Sequence, residues 1–169
     1  MPKTMQPKAG KVTPYLFLDN FVPFSSSLVR AECFSIFGGF DESLAMGIDW
    51  DLWLRFSTKY HFAYVDEPLL IYRVGHQGQM SKNVLTRHAC SDRIMDKFRK
   101  DFPEEVPYAL DQKAMAFTYC NRARYFRHHD LKLSTQYYIK SLRRRPLWKE
   151  AYIGLLKNYV LMFFARIEK

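Results

Sequence analysis

The hydrophobic pattern of the chain changes near residue 84, and this change limits the folds that the sequence can adopt. Before it, short apolar runs bounded by turn residues predict strands at 22–29, 61–66 and 68–74. After it, apolar residues recur at helical spacing, and the later helices are predicted at 108–128, 131–144 and 147–166. The pattern therefore predicts an α/β domain followed by an all-helical segment.

We divide the chain into a flexible basic lead at 1–14, an α/β domain at 15–84 and an α-helical tail at 85–169. Small, aromatic and proline residues follow a repeat-like rhythm in the tail, at Tyr125, Ser134, Tyr138, Ser141 and Pro146. This rhythm resembles a tetratricopeptide hairpin. Since one such unit cannot bury its own apolar face, the tail is expected to cap the first domain.

The composition is that of a globular protein, with 48% hydrophobic and 25% charged residues. The formal net charge of +9 favours an anionic partner, such as nucleic acid, anionic lipid or a phosphorylated substrate. A solvated basic surface is the alternative explanation. No recognised nucleic-acid-binding motif accompanies the basic clusters, so we expect no nucleic-acid partner.

The cysteines and the apolar runs indicate the compartment. Cys33, Cys90 and Cys120 lie far apart, without the spacing of a zinc site or of a disulfide framework. The N-terminus lacks the apolar core of a signal peptide, and no apolar run is long enough to span a bilayer. We therefore expect a cytoplasmic protein, and contact with the inner face of a membrane is left open.

Two aspartates stand in the apolar stretch GGFDESLAMGIDWDLWLRFS, residues 38–57. On a helix beginning at Asp49, Asp51 lies four residues before Arg55, the favourable order for an ion pair. Asp49 has no basic partner in the next turn. It is interpreted as the N-cap of the helix or as a carboxylate held near a substrate hydroxyl as a general base, and the two roles do not exclude each other.

These residues form part of a longer match. The order NFVPFSSSLVRAECFSIFGGFDESLAMGIDWDLWLRFS, continued by VDEPLLIYRVGHQGQMS, resembles the acceptor-side, C-terminal half of family 2 glycosyltransferases of the GT-A fold. The resemblance covers residues 17–82. It depends on the small residues before Arg30, on G-G-F-D-E at 38–42, on D-L-W-x-R at 51–55 and on E-P-L-x-x-Y-R at 67–73.

The resemblance implies transfer of a sugar, with inversion, from a nucleotide-diphosphate sugar to a hydroxyl of a glycan or lipid-linked acceptor. Asp49 would be the catalytic base, although the glutamate that usually precedes it is Ile48 here. The implied acceptor-binding residues are Asp41, Trp50 and Asp51. Arg73 and His76 would contact the diphosphate, and His76 is also a candidate metal ligand.

The nucleotide-binding half of this family has no counterpart, since only 16 residues precede the resemblance. The divalent metal, Mg²⁺ or Mn²⁺, is expected mainly on that missing half. We therefore expect a fragment that carries the acceptor site and that is inactive without its donor-binding half.

A non-catalytic function is the alternative. The C-terminal segment YIGLLKNYVLMFFARIEK has apolar residues on most of its turns and scattered basic residues. Such a helix either packs on the preceding hairpin or lies on a membrane surface. The second hypothesis is thus a helical module that binds a protein or a membrane surface.

Overall fold

A computed structural model describes residues 7–71 and 83–167, with only the backbone described for 165–167. Within these ranges the regular structure is helical. The helices are α1 (Thr13–Leu18), α2 (Ala31–Phe37), α3 (Ile48–Ser57), α4 (Val84–Asp101), α5 (Tyr108–Phe126), α6 (Leu131–Arg144) and α7 (Lys149–Ile167). Two short 3₁₀ turns occupy Phe24–Ser26 and Pro103–Glu105.

The predicted α/β fold is wrong, because the described parts of the chain contain helices and no strand. The expected strand at 22–29 contains a 3₁₀ turn. In the expected strand at 61–66, only an isolated bridge between Phe62 and Gly10 forms. Residues 68–71 have no regular structure, and 72–74 lie outside the described residues. Apolar runs become strands only when a partner strand lies beside them, and none lies beside these runs in the described parts of the chain.

The chain forms two compact units that divide between Val106 and Pro107. Helix α4 begins at Val84, at the predicted change of pattern, and belongs to the first unit. Its N-terminus is capped by Asn83, whose side chain accepts a hydrogen bond from the backbone N–H of Thr86.

The core of the first unit surrounds α3, which packs against α1, α2 and α4. Every residue from Trp50 to Leu54 is buried, so no side of this part of α3 faces solvent. The other large core side chains come from α1 and α4 and include Leu16, Phe17, Ile94, Met95 and Phe98. A helix that is buried all round must satisfy any polar side chain within the protein.

Two glycines set the ends of the loop that leads into α3. Gly38 ends α2 at φ 74°, and Gly47 precedes α3 at φ 76°. Both angles lie in the left-handed region, where a side chain is unfavourable. The loop is tied to α3 by Arg55, whose guanidinium donates to the carbonyl oxygens of Phe37 and Gly39.

The second unit consists of the hairpin α5–α6 with α7 packed against α6. The hairpin turns at Asp130, whose carboxylate accepts from the N–H of Leu133 and caps α6. Two buried serines then join the helices, because Ser134 donates to the carbonyl of Ala123 and Ser141 to that of Ala116. The three helices lie in the segments for which helices were predicted.

A buried polar network fixes α7 on the hairpin. Asn158 of α7 is fully buried and donates to the hydroxyls of Ser134 (2.9 Å) and Thr135 (3.0 Å). Its side-chain oxygen accepts from Nε of Arg127 at 2.9 Å. Arg127 also donates to the hydroxyl of Tyr138. Because each of these polar groups has a partner, the network sets the rotation of α7 about its axis.

Candidate functional site

Asp49 lies in the first turn of α3, but it does not cap the helix. The N-cap residue is Gly47, so the N-cap interpretation of Asp49 is wrong. The carboxylate is half-buried and accepts a hydrogen bond from Nδ2 of Asn20 at 3.0 Å. It forms no ion pair with any residue that the structure describes. Its role as a catalytic base stays a prediction.

Asp51 is only 3% exposed, and its carboxylate binds two cationic side chains. It accepts from Nε (3.0 Å) and Nη2 (2.8 Å) of Arg55, which confirms the predicted i, i+4 ion pair. The Nζ atom of Lys97 lies 3.0 Å from its other oxygen. With both oxygens engaged and no open surface, Asp51 joins α3 to α4 and is not presented to an acceptor.

Asp41 shares Lys97 with Asp51, at 2.8 Å from its Nζ atom. Asp41 also accepts from the N–H and hydroxyl of Ser43. Hydrogen bonds from Lys97 and Ser43 hold the pKa of Asp41 well below its usual range. No sequence signal pointed to Lys97, because it lies 46 residues after Asp51 and on another helix.

The other predicted site residues are divided between the core and residues outside the described ranges. Trp50 is 9% exposed and its Nε1 donates to the carbonyl of Leu16, so its ring packs in the core instead of facing a ligand. Arg73 and His76 lie outside the described residues. Among described residues, no group of three or more metal-ligating side chains occurs, and the metal prediction stays untested.

Asp19, which the sequence analysis did not single out, ends α1 beside Asn20. Burial raises its pKa, against the N–H of Asn20 and the charge of Arg87, which lower it. Because the folded-state pKa exceeds the unfolded one, stability falls as the pH rises through the folded pKa. The charged carboxylate therefore destabilises the first unit at neutral pH.

We expect Asp19→Asn to raise the melting temperature at pH 7, since the amide removes the buried charge and keeps an acceptor for Asn20. The gain should shrink near pH 3, where the carboxyl is protonated in both states. Fluorescence of Trp50 and Trp53 follows the unit, and Asp66→Asn, at an exposed carboxylate, is the control. An unchanged or lower melting temperature at pH 7 would contradict the assignment.

The largest unusual surface lies on α7. Its inner side presents mainly small or polar residues, with Ala151, Gly154 and Asn158 buried against the hairpin, and Leu155 packs there partly buried. Its outer side carries large apolar residues at helical spacing, and we call this surface the α7 face. Its members are Tyr152, Ile153, Leu156, Tyr159, Val160 and Phe163. Leu161, Met162 and Phe164 beside it are exposed as well.

The α7 face and Phe164 beside it expose an apolar area at the upper end of what a monomer ordinarily exposes. The aromatic residues Tyr152, Tyr159 and Phe163 of the face, and Phe164, each expose more than half of their surface. At about 150–250 Å² per aromatic side chain, these residues alone expose roughly 300–500 Å², the size of the largest patch on a typical monomer. The aliphatic residues add to this area, so the face is expected to be covered by a partner.

The charge of the chain is concentrated in the unit that carries the α7 face. Residues 107–169 contain 13 Lys and Arg against 4 Asp and Glu, whereas residues 1–106 contain 13 of each class. The whole formal net charge of +9 therefore belongs to the second unit, and the first unit is neutral. A partner that covers the α7 face therefore meets a unit of strongly basic net charge.

No helix in the described parts of the chain is both long enough and apolar enough to cross a membrane. No protein family matches the chain, and neither curated proteins nor solved structures yield a match. The resemblance to family 2 glycosyltransferases is wrong, because that fold is built on a sheet and the described chain is helical. The described residues that carried it, up to residue 71, lie in a 3₁₀ turn, in α2 and α3 and in the loops between them, which need no sheet.

Proposed function

We propose that the chain is a non-catalytic module that binds a membrane surface peripherally, with the α7 face lying on the lipid. The observation that carries this proposal is the arrangement of α7, which leaves most of its large apolar side chains outside and buries mainly small ones, with Leu155 as a large apolar residue on the inner side. In a helix that serves only the protein core, the large apolar residues face inward. In α7, the outer apolar side chains can be buried only by a partner that lies outside the second unit.

The concentration of charge favours a membrane over a second copy of the chain. Two copies that meet at the α7 face would bring two units of +9 together, and like charges oppose association. An anionic lipid surface has the opposite sign and attracts each nearby Lys or Arg by about 1 kcal/mol. Because anionic lipids are enriched in the cytoplasmic leaflet, the proposal places the protein at the inner face of the membrane.

The test is cosedimentation of the full chain with vesicles of phosphatidylcholine, with and without phosphatidylglycerol. We expect binding that grows with the anionic lipid and falls with added salt. Leu156→Glu should weaken binding about tenfold or more. The change removes a leucine that the lipid would bury, and it places a negative charge against the anionic lipid. Ile139→Glu is the matched control, since Ile139 is exposed on α6 of the same unit.

Two outcomes would contradict the proposal. If the full chain remains in solution with both kinds of vesicle, with and without phosphatidylglycerol, the α7 face does not bind lipid. If light scattering instead finds a dimer that Leu156→Glu dissociates, the face is an interface between copies of the chain. Equal losses for Leu156→Glu and Ile139→Glu would show that charge alone governs binding, and the α7 face would not be the binding surface.

Sugar transfer is the second candidate, and one observation favours it. The Asp49 carboxylate is half-buried and is oriented by Asn20 without a cationic partner among described residues. A carboxylate in this state can accept a proton from a hydroxyl. The test supplies the full chain with a nucleotide-diphosphate sugar, Mg²⁺ or Mn²⁺ and a sugar acceptor. Transfer that Asp49→Asn abolishes without unfolding the chain would favour the enzyme.

A further inference from the structure

A shallow depression lies where the first turns of α5 meet the end of α6. It has a volume of about 470 Å³ and is open to solvent. Three cationic side chains line it, those of Lys113, Arg144 and Arg145. Tyr108 and Gln112 add neutral polar groups, and Ala109 and Leu110 also line a wall that is more apolar than polar. The neutral members can donate hydrogen bonds, so the depression presents donors of two kinds.

The cations of the depression are only weakly compensated. Arg144 has a long ion pair with Asp111, at 3.9 Å, and Arg145 stacks over the ring of Trp148 at 5.6 Å. The stack holds Arg145 without neutralising it. Lys113 is exposed, and its ammonium makes no ion pair with a described residue. Three positive charges thus face one carboxylate, which leaves an excess of about two.

We propose that this depression binds a phosphate monoester group, in the first place the headgroup phosphate of an anionic lipid. A phosphate monoester carries a charge of about −1.5 to −2 at neutral pH, which matches the excess. Arginine guanidinium groups bind phosphate oxygens through two parallel hydrogen bonds. The lipid source of the phosphate rests on the proposed membrane function, whereas the phosphate chemistry does not.

The experiment distinguishes a specific phosphate-binding site from nonspecific electrostatic attraction between the basic unit and anionic lipid. Full chain is cosedimented with phosphatidylcholine vesicles that contain phosphatidic acid, a phosphomonoester, or phosphatidylglycerol at matched surface charge. Phosphatidic acid should bind more tightly. Arg144→Gln with Arg145→Gln should weaken that binding about tenfold. Lys132→Gln with Lys140→Gln removes the same charge elsewhere in the unit; it should lower binding to both kinds of vesicle alike and leave the preference for phosphatidic acid unchanged.

Two further measurements keep the result independent of folding and of the lipid. Lys113→Gln removes a side chain without ion pairs, so a weaker preference for phosphatidic acid in this variant reports on binding rather than on structure. Inorganic phosphate is also titrated without vesicles and followed by the NMR signals of the Arg144 and Arg145 Nε–H groups. Saturable shifts that Lys113→Gln weakens would show a phosphate site in solution.

The outcomes distinguish this site from the proposed function. Vesicle binding without preference for phosphatidic acid, and with equal effects of the two double variants, would overturn the site and leave membrane binding intact. Phosphate shifts without binding to any vesicle would support the site for a soluble phosphate ester and overturn the membrane function. Absence of both the lipid preference and the phosphate shifts would overturn the inference.

Discussion

Asp51→Ala is expected to destabilise the first unit by about 3–5 kcal/mol, because it breaks a buried ion pair and leaves its partners uncompensated. Arg55, with a side chain that is 11% exposed, would keep only its bonds to two backbone carbonyls. Urea unfolding of the full chain measures the loss. With Trp148 replaced by phenylalanine, the fluorescence comes from Trp50 and Trp53, which lie on either side of Asp51.

Asp41→Ala is the matched control for this loss. Asp41 binds the same ammonium of Lys97 at 2.8 Å, but its side chain is 23% exposed against 4% for Asp51. A partly exposed pair is worth about 1 kcal/mol or less, so the control should lose much less stability. Equal losses for the two variants would mean that burial does not determine the strength of the network.

The sequence predicted the parts of the first unit that depend on near neighbours. Asp51 and Arg55 lie one turn apart, so the helical period alone places them together. The third member of the network, Lys97, could not be found in this way, since its approach depends on how α4 packs against α3. Long-range packing leaves no signal in the local pattern.

The strand predictions failed for a related reason. The runs at 61–66 and 68–71 have the apolar composition of strands, yet Val65 and Ile71 are mostly exposed and pair with no neighbour. Strand formation depends on a partner that supplies backbone hydrogen bonds and side-chain contacts. Composition indicates that a run fits into a sheet, but it does not indicate whether a sheet exists.

The periodicity of α7 was visible in the sequence, but its orientation was not. The sequence predicted a helix with apolar residues on most of its turns, which either packs on the hairpin or lies on a membrane surface. The structure buries the side that carries Gly154, Leu155 and Asn158, because Asn158 has its partners on the hairpin and Gly154 admits the ring of Tyr138. This packing determines which side of α7 remains available to a partner.

Gly154→Ala is expected to destabilise the second unit by about 1–3 kcal/mol, which is the cost of overpacking and of a broken hydrogen bond less the gain in helix propensity. In the interior of a helix this change ordinarily stabilises by about 1 kcal/mol. Here the added methyl group would overlap the ring of Tyr138, which is 1% exposed and bonded to Arg127. Overpacking of a tight core costs about 1–3 kcal/mol, and a broken hydrogen bond adds about 1 kcal/mol. Unfolding followed by Trp148 fluorescence measures the result.

A double-mutant cycle with Tyr138→Leu tests this cause, because the smaller side chain removes the ring that the methyl group meets. Gly154→Ala should be neutral or stabilising in that background, which gives a large coupling between the two positions. Gly39→Ala is a second control, at a glycine with no atom within 4 Å of the added carbon. If Gly154→Ala lowers the free energy of unfolding by the same amount with leucine at position 138, the close approach to the ring does not determine how α7 packs on the hairpin. The outward orientation of the α7 face would then depend on the Asn158 network alone.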